Sequence, residues 1–205
     1  MSRLCLGLFL AVLALPAAGQ SLPPKQRTHP NSFVLTLKTG SVRFADESQT
    51  VSGNNWSFDR SASSIAALEG ESRMGAGTEN VSLGFEVLRY DNRFRAASGS
   101  GVGGTMYTRA FLAKSKYYFL PGSAWQPYVG GGFGMVQAFD YSAPLHSAEG
   151  VGYQGVVGMQ LRADRVGLKM EYLGLLARLS DDNGDRINVS SHGLFVGLGF
   201  YFGRR

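Results

Sequence analysis

The residues of this chain that could do chemistry fall into three groups. Glu69, Glu71 and Arg73 lie two apart, and Glu86, Arg162, Lys169 and Glu171 follow on later stretches with similar alternation. In an extended chain that spacing projects them from one face, where acids and bases of both signs neutralise each other. Ser190, Ser191 and His192, with Glu171, hold the residue types of a nucleophile, a base and an orienting acid. Adjacent strand residues point to opposite faces, however, and such chemistry requires all three within hydrogen-bond reach. Asp181, Asn183 and Asp185 have the alternating oxygens that begin a calcium loop, but Arg186 stands at the sixth position and His192 at the twelfth. A calcium loop needs glycine and glutamate there, so the stretch reads as a solvated turn. His29, His146 and His192 are too scattered for a metal site, and Gly130 to Gly132 follows a strand start rather than opening a helix, as a phosphate loop would. No catalytic residue, metal or cofactor is expected.

These residues sit on segments that alternate like strands. The plainest is the last, where Leu194, Val196, Leu198, Phe200 and Phe202 form one apolar stripe and Phe195, Gly197, Gly199 and Tyr201 the opposite face. Only Gly203, Arg204 and Arg205 follow it, so it must pair with earlier segments. Seven such segments precede it, starting near Ser32, 62, 79, 105, Trp125, Tyr153 and Val166. On the fourth, Lys114 and Lys116 share one face and Arg109 the other, which leaves its orientation open.

The connections alternate between long and short. Polar stretches at 46–61, 91–104, 140–150 and 180–188 alternate with short turns at Met74–Gly77, Leu120–Ala124 and Ala163–Arg165. The strands run beyond the ~9–11 residues a tilted membrane strand requires, whereas strands of soluble sandwiches have a mode near ~5–6. The pattern predicts an all-β fold, an eight-stranded antiparallel up-and-down transmembrane β-barrel. In such a barrel the apolar stripes face lipid. The lumen then takes Glu69, Glu71, Arg73, Glu86, Arg162, Lys169 and Glu171, with glycines 84, 158, 167, 197 and 199 making room. An eight-stranded barrel is only wide enough for side chains to fill, so a plugged lumen is expected. Tyr117, Tyr118, Trp125 and Tyr128 suit an interfacial aromatic girdle, and Phe200 and Phe202 close the chain.

Residues 1–19 have the layout of a secretory signal peptide: Arg3, an apolar run from Leu4 to Leu15, then Pro16 and small residues up to Gly19. The run is shorter than the ~20 residues of a spanning helix. Residues 20–30 read as a periplasmic lead and 31–205 as the barrel domain. Cys5, the only cysteine, lies in the leader, which excludes disulfides and thiol chemistry from the mature chain. The four long connections carry nine acids against four bases, while the rest of the mature chain carries 15 bases against 6 acids. Basicity therefore belongs to the lumen and short-turn end, which argues against nucleic acid as a partner. Acidic loops could share divalent ions with lipopolysaccharide phosphates.

Trp125-Gln-Pro-Tyr128-Val-Gly-Gly-Gly-Phe-Gly, following Tyr117-Tyr118-Phe119, then Val166-Gly-Leu-Lys-Met-Glu171-Tyr172 and the closing Val-Gly-Leu-Gly-Phe-Tyr-Phe, resemble the eight-stranded outer-membrane β-barrel superfamily. Its members include the OmpA transmembrane domain and OmpX. The resemblance implies residence in the cell outer membrane as a monomer and a terminal aromatic, Phe200 or Phe202, read by the barrel assembly machinery. It also implies contact with outer-membrane lipid and lipopolysaccharide, and a structural or surface-interaction role. A related enzymatic branch, the lipid A deacylases, carries His and Ser two residues apart on a late strand, where this chain reads Met170-Glu171-Tyr172-Leu173-Gly174. A soluble lipocalin-like barrel, with its apolar face inward, is the other alternative.

Overall fold

The computed structural model of the protein describes residues 33–45, 48–51, 54–59, 64–74, 80–96, 103–140, 147–181 and 184–202. The stretches read as a signal peptide and a lead, His29, His146, Asn183 and the tail from Gly203 lie outside the described residues. Every helix or strand among those described is a strand. In chain order these are β1 (Phe33–Phe44), β2 (Ser48–Val51), β3 (Asn54–Phe58), β4 (Ser64–Arg73), β5 (Val81–Ala96) and β6 (Gly103–Tyr118). They continue with β7 (Trp125–Asp140), β8 (Ala148–Ala163), β9 (Val166–Asp181), β10 (Arg186–Asn188) and β11 (Ser191–Phe202).

Eight long strands pair antiparallel with their neighbours in the order β5-β4-β1-β11-β9-β8-β7-β6, and β5 pairs with β6 to close the ring. The closing strand lies between the first and the ninth: Phe33 faces Phe202, and Phe200 faces Val166. Both chain ends of the barrel and the turns after β4, β6 and β8 share one end, the turn end. The other connections share the loop end.

The outward face of the wall is apolar over most of its height. On β9 it runs Val166, Leu168, Met170, Tyr172 and Leu176, each at least 36% exposed. From Val166 to Leu176 this belt rises about 25 Å at ~3.3 Å per residue and a ~40° tilt, the height of a barrel's lipid-facing band. Leu194, Val196, Leu198, Phe200 and Phe202 present the same face on β11.

The strands reach further than the sequence reading places them. Strands β5 to β9 are each 16 residues long. The stretch 91–104, read as a loop, is strand up to Ala96 and again from Gly103. Ala148 to Gly150 are likewise strand, and 46–61 contains the β2–β3 hairpin. That hairpin extends the wall where β1 and β4 stop short. Trp56 pairs with Ala96 on β5, and on the other side Gln49 and Asn188 exchange side-chain to main-chain hydrogen bonds of 2.7 and 2.8 Å.

Beyond the belt the faces invert without a register slip. On β5 the outward residues change from Leu83, Phe85 and Val87 to Arg89, Asp91 and Arg93, while the inward ones change from Ser82 and Glu86 to Leu88, Tyr90 and Phe94. Within lipid the outside must be apolar. Above it the outside meets water, and the hydrophobic effect drives apolar groups inward as in any soluble barrel. The lumen is therefore charged in its turn-end half and mainly apolar in its loop-end half, where Asn92 and Thr108 are buried.

Candidate functional site

The turn-end half of the lumen holds a closed network of eight charges, four lysines and four glutamates. Strand β1 contributes Lys38, β4 Glu69 and Glu71, β5 Glu86, β6 Lys114 and Lys116, and β9 Lys169 and Glu171; all are buried. Glu69 is its hub. Its Oε2 accepts from Lys38 at 2.8 Å and Lys114 at 3.0 Å, and its Oε1 from Lys116 at 2.7 Å and Lys169 at 2.8 Å. Glu69 and Glu86 are directly opposed across β4 and β5, a repulsive placement for two acids. Lys38 and Lys114 each pair with both and so remove the repulsion.

Neutral donors complete the network. Tyr118 donates to Glu71 at 2.6 Å, Tyr128 to Glu171 at 2.7 Å and Gln154 to Glu86 at 2.6 Å. Charges withdrawn from water are tolerated where partners and hydrogen bonds satisfy them together, which holds for these carboxylates. Oxygens of Glu69, Glu86 and Glu171 lie close enough together to ligate a cation. The cation they surround is the Lys38 ammonium, 2.7 Å from Glu171 and in contact with Glu86.

Five of the seven charged residues assigned to the lumen from sequence, Glu69, Glu71, Glu86, Lys169 and Glu171, are in this network. Arg73 points inward below it, stacking 4.0 Å over the Tyr118 ring and donating to Gln126. Gln126 in turn donates to the carbonyls of Pro121 and Ser123, 2.8 Å each, which ties the lumen to a turn. Arg162 stays outside the network: it is half-buried, stacks over Tyr201 at 4.4 Å and donates to the Asp164 carbonyl. It lies one residue from the end of β8, too near the mouth to reach the glutamates.

Three members were missed. Lys38 follows an apolar run, and Lys114 and Lys116 lie on the strand of undecided phase. A signal was present in their cross-strand partners, because Lys38 and Lys169 both pair with Gly197, Lys114 with Gly132 and Lys116 with Gly130. A Cβ on Gly197 would stand 2.6 Å from Lys38 Cγ, and one on Gly158 would stand 2.7 Å from Tyr128 Cζ. Glycine at these positions is what lets long side chains lean across the wall.

The aromatic girdle is corrected in the same way. Tyr117 and Trp125 face outward, at 46% and 47% exposure, but Tyr118 and Tyr128 are buried in the lumen. Tyr117 and Tyr118 are adjacent on one strand and cannot both face lipid. Phe200 and Phe202 face outward, and the Phe202 ring lies 6.4 Å from Phe33.

The loop-end half of the lumen is mainly apolar, with Asn92 and Thr108 buried among its apolar groups. Trp56 and Phe58 from the hairpin pack against Phe94, with ring centroids 5.3 and 6.0 Å apart, and Phe44 packs on Tyr90 at 5.4 Å. Leu179, Ile187 and Val189 complete this tier, and Tyr90 donates to the Val189 carbonyl at 3.1 Å. The Ser/His/Glu171 set is not assembled: His192 faces outward beside Tyr172, Ser190 accepts from the Ala177 amide, and Glu171 is held by lysines. Asp181 closes a turn, its carboxylate accepting the Asp185 amide at 2.8 Å.

No protein-family model and no curated protein matches the chain. Solved structures do. The outer membrane protein OprG from Pseudomonas aeruginosa superposes with a TM-score of 0.66 at 13% identity, over 86% of this chain and 98% of that one. Neisserial surface protein A gives 0.59 at 14% identity, over 84% and 97%. The outer membrane protein AlkL, solved in DMPC lipid bilayers, gives 0.55 at 14% identity, over 91% and 98%. The likeness is one of fold, and the chain has the closed, eight-stranded antiparallel barrel fold of outer-membrane proteins.

Proposed function

We propose that the protein is a monomeric barrel of the cell outer membrane that carries no catalytic activity. It acts as a structural or surface-interaction element through its loop-end connections, which face the exterior while the turn end faces the periplasm. The observation that carries this reading is the pairing of a lipid-type exterior with a lumen filled in two tiers. A neutral ionic network occupies the turn end and an aromatic core the loop end. The crevice beside Glu69, Glu71, Ser82, Lys114 and Lys116 has no room for a water molecule. Filled in this way among the described residues, the barrel is expected not to conduct ions, and the residue types of a hydrolytic set are dispersed among them. Outer-membrane lipid and lipopolysaccharide are its surroundings, and the barrel assembly machinery would read the strand ending at Phe202.

The test combines fractionation with conductance. The protein should be extracted from outer membranes by detergent, change gel mobility on heating, and add no ion conductance to planar bilayers. A protein soluble without detergent, or one giving steady ion currents, would overturn the reading. Lipid A from cells with and without the protein should have the same mass spectrum; a lost acyl chain would establish the hydrolase alternative.

A further inference from the structure

The upper edge of the lipid belt is built differently from the lower one. At the turn end the outward residues include the aromatics Tyr117, Phe119, Trp125 and Phe202. At the loop end the belt stops on arginine. Arg89 on β5 and Arg109 on β6 are directly opposed in the ladder and share the outward face, immediately above Val87 and Phe111. Facing side chains on a sheet stand about 4.5–5.5 Å apart at Cβ, and like charges so placed repel. Asp91 compensates in part, 3.6 Å from the Arg89 Nε. Arg93 and Arg95 are exposed on the same face of β5, with Asp59 next to Arg93, so four bases stand against two acids there.

The pair is also held in place. Arg89 stacks over the Tyr107 ring at 5.4 Å and Arg109 over the Phe139 ring at 4.8 Å, and those rings stack on each other at 6.3 Å. Stacking fixes the plane of a guanidinium while leaving its N–H edge free to donate. The result is two oriented forks, side by side, at the depth where headgroups meet the apolar belt. Forked donors match the oxygens of a phosphate, which can take two parallel hydrogen bonds from each guanidinium.

We propose that Arg89 and Arg109 form a binding site for the phosphate headgroup of an outer-leaflet lipid, with its acyl chains lying along Val87 and Phe111. The proposal rests on the outer-membrane reading above. It differs from the ion-bridged contact suggested by acidic loops, because the phosphate is taken directly by cations. Arg43 and Arg178 also face outward at the loop end, but neither has a directly opposed arginine, since Arg43 pairs with His192 and Arg178 with Asn188. They are therefore the internal control.

The experiment uses the full barrel in nanodiscs containing either bisphosphorylated lipid A or the same lipid A after dephosphorylation. Lipid retained on extraction into mild detergent is counted by native mass spectrometry. Wild-type protein should retain one phosphorylated lipid and hold the dephosphorylated form about tenfold more weakly, a difference of about 1.4 kcal/mol. Arg89→Gln/Arg109→Gln should abolish that preference, and Arg43→Gln/Arg178→Gln should leave it in place. Equal retention of both lipids by wild type, or equal loss from both double variants, would overturn the site. Heat-modifiable gel mobility is scored in parallel. A wild-type chain lacking it would fail the barrel reading, whereas a normal barrel without phosphate preference fails this inference alone.

Discussion

Replacing Lys38 by methionine tests the ionic network most directly. Methionine keeps the unbranched chain out to the Cε position and removes the ammonium that holds Glu69, Glu86 and Glu171 together. Four buried glutamates would then face three lysines, and the opposed pair Glu69 and Glu86 would keep only Lys114 between them. Removing one partner of a buried ionic cluster costs about 3–5 kcal/mol, here because the three remaining lysines leave one negative charge uncompensated and out of water. The companion variant Lys38→Met/Glu86→Gln restores neutrality and leaves an amide where Gln154 and Lys114 converge. It should recover about 2–3 kcal/mol of the loss, a coupling expected of residues in direct contact. The assay is urea unfolding of the barrel in lipid bilayers, followed by the gel mobility of folded and unfolded forms. A single variant as stable as wild type, or a double variant no better than the single, would refute the claim that charge balance holds this half of the lumen together.

Three further outcomes follow from particular contacts. Gly197→Val should destabilise the barrel by about 1–3 kcal/mol through overpacking, since the added Cβ meets Lys38 Cγ at 2.6 Å; the same unfolding assay reads it. Trp56→Ala should cost about 3–5 kcal/mol of core packing against Phe94 and expose the β2–β3 hairpin, so limited proteolysis of intact bilayers should cut there faster than in wild type. Phe202→Ala should slow insertion into the membrane more than removal of Arg204 and Arg205, as measured by the fraction of heat-modifiable protein over time. The reverse order would mean that the end of the barrel is read elsewhere.

The periodicity of the sequence determined that this chain is a barrel and which way its membrane faces point. Alternation over two residues is enough, because a strand has only two faces and lipid accepts only one kind of surface. Thus Leu194 to Phe202 could be assigned outward from their own spacing, and Glu69, Glu71, Glu86, Lys169 and Glu171 inward from theirs. The interior could not be assembled that way. Lys114 and Lys116 share a strand with Arg109 on the other face, and only pairing with β5 and β7 decides which face is enclosed. Tyr118 and Tyr128 look like interfacial aromatics until closure places them 5.0 Å apart at the ring centroids inside the lumen. The inversion of faces above the belt was missed for a related reason. Arg93, Phe94 and Arg95 alternate as well as any strand, but polar residues beside glycine-rich sequence resemble a loop when read one segment at a time. Local spacing dictates which residues share a face. Which face is inside, and how many lysines one glutamate must satisfy, depends on neighbours about a hundred residues away in the chain, as Lys169 and Glu69 are.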